Sequence, residues 1–247
     1  MIRVHRIPFS TNVERVALAA GHKGLAVEWV DHRPDDRAAV IELSGQRLVP
    51  IAEFGTEVVR GSLKIVERIE AEQPEPALIP GDPVGWSAAM ITIDWFDRVW
   101  KGPPNALDGP EPPDAGALRS RSRLWTRWLV DLLADRPYFG GEALGIVDVC
   151  VFPFLKYAVV DPAPADHERF HAILAELLRA DSHPRLDDWV RCVLHEPWGE
   201  LRDLLADCAM SARREGIAKP GELIAVTAGL PDQELGTNLF EIHRVPA

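Results

Sequence analysis

The sequence predicts an α/β domain over residues 1–80, an all-helical domain over 81–212 and an appended β-hairpin over 213–247. Three observations carry this. Strand and helix signals alternate over the first eighty residues, a proline-rich connector follows, and helical periodicity runs from there until two short strand-like segments near the end.

Within the first stretch, Ile2 to Ile7 alternates apolar and polar residues, as a strand with one wet face does. Val13, Val16, Ala17 and Ala20 then fall on one helical stripe, which ends at Lys23-Gly24 with a cation and a C-terminal glycine. Ala26 to Val30 reads as a second strand and Asp35 to Leu43 as a short helix. Leu48 to Phe54 and Thr56 to Val59 flank Gly55, a hairpin signal. Ser62 to Glu72 gives a third helix. A helical crossover makes the first two strands parallel, and the closing hairpin adds antiparallel ones.

The connector, Gln73 to Pro83, carries the domain boundary. Beyond it, helices are predicted over Val84–Trp100, Ala117–Ala134, Leu144–Val159, His167–Ala180 and Pro184–Leu205, with Lys101 to Gly116 as a Pro/Gly-rich loop. Leu223–Thr227 and Leu239–Ile242 read as strands joined by a Gly/Pro/Asp turn.

Composition narrows the function classes. Of 247 residues, 47% are hydrophobic and 26% charged, an ordinary globular balance. No apolar run approaches the roughly 18 residues of a membrane span, and Met1 to Ser10 lacks a secretory apolar core, so a cytoplasmic protein without a membrane partner is expected. Net charge is −11 with no dense basic cluster, which argues against nucleic acid as a partner. Residues 1–80 carry only −2 of this charge, so the acidity belongs to the helical part and reads as a solvated surface. Cys150, Cys192 and Cys208 show no CxxC spacing, giving neither a disulfide framework nor a metal site.

Chemistry concentrates at three places. Ser10 and Asn12 stand where the first strand passes into the first helix. Unpaired backbone N–H groups and the helix dipole favour an anion there, and a hydroxyl can hold a thiolate. The same residues also suit a plain N-cap. Val49-Pro50 places proline inside a strand; a cis bond would turn the Val49 backbone toward an extended peptide ligand, and a trans edge-strand proline is the alternative. Ser62 opens the third helix, positioned either to bind a carboxylate or to cap.

These segments resemble the glutathione S-transferase family. PFSTNVERVALAAGHKGL is similar to its opening, where a serine, tyrosine or cysteine precedes the first helix. GQRLVPIAEF is similar to the strand bearing its cis-proline, and VVRGSLKIVERIE to its turn into the third helix. YFGGEALGIVDVCVFPFL resembles the segment where a capping box and a buried aspartate nucleate a core helix, and PRLDDWV resembles a common late helix. In order and spacing these cover about residues 2–200.

The resemblance implies a thioredoxin-like N-terminal domain followed by a helical bundle. It also implies conjugation of glutathione, as co-substrate, to a small electrophile, usually by a homodimer and without a metal. Ser10 would stabilise the thiolate, with Asn12 a second donor. Val49, ahead of Pro50, would pair with the cysteinyl unit, and Gly61-Ser62 would hold the γ-glutamyl end. Trp86, Met90 and Trp95 are candidate contacts for the electrophile, and core packing is their alternative role.

Two positions depart from the family pattern. Gly61 stands where an acidic residue usually precedes the serine, removing a partner for the ligand's ammonium; Glu57 and Asp94 are candidate replacements. Gly145 replaces a capping Ser or Thr, with Asp148 retained, at a cost of only a few tenths of a kcal/mol. A non-catalytic binding protein on this scaffold, or a transferase using another small thiol, are the competing readings that Gly61 favours. Separately, residues 216–245 resemble the last strand pair of pyruvate kinase, without any of its catalytic barrel, which implies a structural role for the hairpin.

Overall fold

The computed structural model describes residues 2–196 and the two strands 223–228 and 239–244. The chain forms two compact units, Met1–Glu196 and Pro197–Ala247.

In the first unit, β1 (Ile2–Arg6), β2 (Val27–Asp31), β3 (Ile51–Phe54) and β4 (Glu57–Arg60) form one sheet in the order β2-β1-β3-β4. The β1–β2 pair is parallel, with Val4 opposite Trp29. Both pairs made by β3 are antiparallel, with Val4 opposite Ala52 and Ala52 opposite Val59. The crossover from β1 to β2 is α1 (Thr11–His22), and α2 (Ala38–Ser44) links β2 toward β3. Gly45 ends α2 at φ +72, the left-handed conformation that glycine adopts without steric cost. After β4 comes α3 (Ser62–Glu72), which packs on α1. The predicted strand–helix order of this region is the observed one, with α3 at its predicted bounds and the other elements moved by at most three residues.

The connector is held firmly to this layer. Buried Lys23 donates to the carbonyls of Pro74 and Pro76 (2.9 and 2.5 Å) and pairs with Glu70. Glu70 in turn accepts from the amides of Leu78 and Ile79. An ammonium with three acceptors and a carboxylate with three donors satisfy each other's burial.

The helical part follows with α4 (Pro83–Trp95), α5 (Gly102–Asp108), α6 (Ala115–Leu133), α7 (Ile146–Leu155), α8 (Arg169–Arg179) and α9 (Pro184–Leu194). The carboxylate of Asp82 caps α4 through the Gly85 amide (2.8 Å), with Pro83 at the first helical position. The predicted segment to Trp100 is continuous, but its last turn, Phe96–Trp100, widens to a π-helix.

The predicted loop over 101–116 is corrected: α5 occupies half of it. Pro103 and Pro104 lie in its first turn, where a missing N–H costs no helical hydrogen bond, and both are buried with Leu107. Of the helix predicted over Pro184–Leu205, the part from 197 onward lies outside the described residues.

Every residue of α7 is buried. At its start the fully buried Asp148 accepts from the amides of Gly145 (3.0 Å) and Phe139 (2.9 Å) and from the indole of Trp189 (2.8 Å). The glycine at the cap therefore leaves the aspartate half of the device intact. No described helix is long and apolar enough to cross a membrane.

In the second unit, β5 (Leu223–Ala228) and β6 (Leu239–Arg244) pair antiparallel, with Leu223 opposite Arg244 and Ala228 opposite Leu239. The predicted connecting turn lies outside the described residues, as does Cys208.

Candidate functional site

Helix α1 begins at an exceptional piece of backbone. Phe9 has φ +62, a left-handed conformation that costs a bulky residue on the order of 1–3 kcal/mol and recurs at functional sites. Ser10 follows as N-cap in an extended conformation. Its carbonyl accepts from Glu14 (3.0 Å), but its hydroxyl makes no capping hydrogen bond. The capping alternative for Ser10 is thus only half fulfilled: the backbone is used and the Oγ is not.

Ser10 opens onto a cavity of about 390 Å³. One wall is Pro8, Phe9, Ser10 and Asn12, a second is Arg37, Leu48 and Val49, and the third comes from the helices as Lys101, Asn105, Phe154, Phe170 and His171. The Val49–Pro50 peptide is cis, and the β3 ladder starts only at Ile51, so Val49 stands ahead of the paired strand on the cavity wall. Ser10, Asn12 and Val49 are therefore brought together by the fold.

The remaining expected positions lie elsewhere. Gly61 is the exposed N-cap of α3 at φ +88, a backbone that side chains rarely adopt. Ser62 is buried and accepts from the Arg15 guanidinium (3.3 Å). Neither residue, nor Pro50, lines the Ser10 cavity. Glu57 is bound to Arg68 (3.0 Å) and Asp94 to Arg98 (2.6 Å), so both carboxylates offered as substitutes for the missing acid are occupied. Trp86, Met90 and Trp95 all lie on α4 and are half-buried, but none lines the Ser10 cavity. Met90 and Trp95 border a separate shallow depression with Ile91 and Arg98, and Trp95 packs on Trp128 at 4.4 Å between ring centroids. Trp95 packs on α6 through Trp125 and Trp128, and Met90 borders the depression beside it, away from the Ser10 cavity.

Sequence reasoning missed the charged group behind the site. Arg15 is 1% exposed. It donates to the Cys150 carbonyl (2.7 Å) and holds both oxygens of Asp97 (2.6 and 3.1 Å). Lys101 reaches the same carboxylate (3.2 Å), the Asn12 amide oxygen (3.4 Å) and the face of Phe154. Burial, followed by the charge of Arg15, lowers the pKa of Lys101, with Asp97 opposing. Burial resists ionisation of Asp97, yet the Arg15 hydrogen bond and charge, helped by Lys101, hold its carboxyl below the usual range. The periodicity pointed away from it: Arg15 lies nearly opposite the Val13–Val16–Ala17–Ala20 stripe, on a second face of α1 buried with Leu18 and Ala19.

Chemically, the cavity offers a helix N-terminus and an unspent hydroxyl along one wall, and a partly desolvated ammonium with aromatic faces along another. That set suits a bound anion next to an apolar or planar group.

Comparison with known proteins agrees with this architecture. Residues 4–77 match the family model described as glutathione S-transferase, N-terminal domain, and residues 127–192 match the corresponding C-terminal domain, together more than half of the chain. The chain is 27% identical over 154 residues to a probable glutathione S-transferase, parA, of Nicotiana tabacum; the match covers 58% of this chain and 66% of that protein. It is 26% identical over 153 residues to glutathione S-transferase U16 of Arabidopsis thaliana, covering 57% and 60%. The chain thus spans less than two thirds of the length of these relatives, 66% and 60%. Among solved structures, a Tau class enzyme of mango aligns with a TM-score of 0.68 at 16% identity, covering 85% of this chain and 97% of that one. A rice protein solved in complex with glutathione aligns at 0.64 and 20% identity, covering 86% and 96%. At such identities these two structures speak for the fold.

Proposed function

We propose that this chain, which belongs to the glutathione S-transferase family, conjugates the thiolate of glutathione to a small electrophile in the cavity beside Ser10. The observation that carries the reading is the Ser10 hydroxyl, left unspent by its own helix and facing a cavity that Val49 also lines. A thiol held there gives up its proton to solvent, because the α1 N-terminus and the hydroxyl stabilise the anion. Asn12, kept in place by Lys101, is a second donor on that wall. Val49 offers its backbone to the cysteinyl unit, and the electrophile rests against Phe154 and Phe170. Ser62, already engaged by Arg15, reaches a γ-glutamyl carboxylate only at the far end of the ligand.

The reading extends to a homodimer. Val84 and Ile91 on α4, and Leu124 and Trp128 on α6, are exposed apolar residues of the kind a second copy covers.

Calorimetric titration with glutathione, followed by conjugation of 1-chloro-2,4-dinitrobenzene, tests the activity. Binding at millimolar or lower concentration and turnover are expected; an absence of binding rejects the reading. One observation favours a second possibility, a transferase using another small thiol: Glu57 and Asp94, the two carboxylates offered in place of the family's acid at Gly61, are both paired. The same titration with a thiol lacking a free ammonium distinguishes it.

A further inference from the structure

The sheet of the first unit carries a chain of three hydrogen-bonded side chains that no step of the proposed reaction uses. On β1, strand alternation places Arg3 and His5 on the face opposite Ile2 and Val4. His5 is 8% exposed, and both of its ring nitrogens are engaged. Nε2 lies 2.9 Å from Oε1 of Glu53 on β3. Nδ1 lies 2.8 Å from Nε2 of His32, the first residue after β2. The two imidazoles are stacked, with centroids 5.1 Å apart and planes at 19°.

Proton counting limits what this chain of groups tolerates. A carboxylate only accepts, so Nε2 of His5 carries the hydrogen it shares with Glu53. Nδ1 of a neutral His5 is then an acceptor, and Nε2 of His32 donates to it. One added proton leaves the contact intact, because either ring can carry it while a single hydrogen still lies between the facing nitrogens. A second proton does not. Both rings are then cations, both facing nitrogens bear hydrogen, and the 2.8 Å contact sets donor against donor.

The pair sits among other charges. Arg3 bridges Glu53 (3.2 Å) and Glu28 of β2 (3.1 Å), and Arg6 at the end of β1 is paired with Asp31 (2.5 Å). Asp36 and Arg37 act on His32 from the segment before α2. Burial, followed by the charges of His5 and Arg37, lowers the pKa of His32, with Asp31 and Asp36 opposing.

The loop that His32 begins has few other ties to the sheet. Its amide donates to the Arg6 carbonyl (2.9 Å). Arg33 binds Asp35 within the loop (3.0 Å), and Arg37 binds the Pro34 carbonyl (3.0 Å) and the Arg47 carbonyl (3.5 Å). Among the described residues, the His32 ring therefore makes the one side-chain hydrogen bond from this loop to the sheet. Arg37, at the loop's far end, lines the Ser10 cavity.

We propose that His5 and His32 form an acid-released latch: with at most one proton added, the pair holds the loop from His32 to Arg37 on the sheet, and with two it lets the loop go and takes Arg37 off the cavity wall. The sign follows from the lowered pKa of His32. The contact is fully present above the ordinary imidazole value near 6.5 and is lost as pH falls through the lower folded value. Release of the loop does not depend on the transferase reading; only its effect on glutathione rests on that reading.

The test is amide hydrogen exchange of the full chain, read by mass spectrometry at about pH 7.5 and about pH 5, with exposure times scaled to the chemical rate. Peptides spanning residues 32–44 should exchange about fivefold or more faster at the acid value, the worth of one side-chain hydrogen bond, while peptides of α7 keep their protection. His32→Phe keeps a ring to stack on His5 but takes no proton, and should lose this step. Calorimetric titration with glutathione gives the second readout. The Kd of wild type relative to His32→Phe should rise by about the same factor between the two pH values. Equal protection of residues 32–44 at both values in wild type overturns the latch, and so does a step that survives in His32→Phe. A step in exchange without one in the relative Kd overturns its link to the cavity. Failure to bind glutathione at about pH 7.5 removes the transferase reading, and the exchange step still decides the latch.

Discussion

Two nitrogens of the Arg15 guanidinium meet two oxygens of the Asp97 carboxylate, at 2.6 and 3.1 Å, across 82 residues of sequence. The pair ties α1 to the π turn after α4, and the same guanidinium reaches Cys150 in α7 and Ser62 in α3. One side chain therefore fixes the angle between the wall that carries Ser10 and the wall that carries Lys101.

Replacing that cation should be severe. Arg15→Met leaves Asp97 half-buried beside a lone lysine and strips the Cys150 carbonyl of its donor. A loss on the order of 3–5 kcal/mol is expected in urea unfolding. Arg15→Lys should recover little, since an ammonium cannot match a fork of donors. The pH signature follows from the lowered carboxyl of Asp97. Its stabilisation is complete above the unfolded value near pH 4 and disappears as pH falls through the lower folded value. Arg15→Met should erase that acid-side loss.

Asp148 should behave in the opposite sense. Burial pushes its carboxyl up to about 6 despite the three hydrogen bonds it accepts. The folded state therefore holds a proton that the unfolded chain releases, and stability contributed by this group falls as pH rises from about 4 to about 6. The margin of wild type over Asp148→Asn should be larger at pH 4.5 than at pH 7.5, by about 2 kcal/mol. Denaturant titrations at both pH values measure it.

The cysteines should separate by reactivity. Cys150 is fully buried, and desolvation lifts its thiol to about 12, whereas Cys192 is exposed. Brief alkylation of the native protein near pH 8 should modify Cys192 and spare Cys150, read by peptide mass mapping.

Much of this molecule could be read from its residues. The crossover from β1 to β2 was legible because period-two alternation and a helical stripe encode it locally; the cis Val49–Pro50 bond and the buried Asp148 followed from the family resemblance, since the residues alone left cis and trans open. The α5 helix was hidden because prolines punctuate loops and helix first turns alike. The cavity's far wall was hidden for another reason. Lys101, Phe170 and His171 reach Ser10 only through the packing of α5, α7 and α8, which no local pattern specifies. Trp86, Met90 and Trp95 stand out by apolar size, a property that packing between helices, as where Trp95 meets α6 in a seam, selects as strongly as a ligand does.

The seam and the cavity can be told apart by mutation. Trp95→Ala should leave KM for both substrates within about twofold, because its ring meets Trp125 and Trp128 away from the cavity. Phe170→Ala, on the cavity wall, should raise KM for an aromatic electrophile about two- to tenfold, the range of an aromatic contact of 0.5–1.5 kcal/mol. Steady-state kinetics of the two variants decide it.

The most direct measurement is a pH titration of bound glutathione, following thiolate ultraviolet absorption in wild type and Ser10→Ala. An unperturbed thiol ionises near pH 8.5, and the field of the α1 N-terminus with the Ser10 hydroxyl should lower that by at least about one unit in wild type. In Ser10→Ala most of this lowering should vanish while glutathione still binds. Identical titrations for the two proteins, or an unshifted thiol in wild type, would contradict the thiolate site at the start of α1.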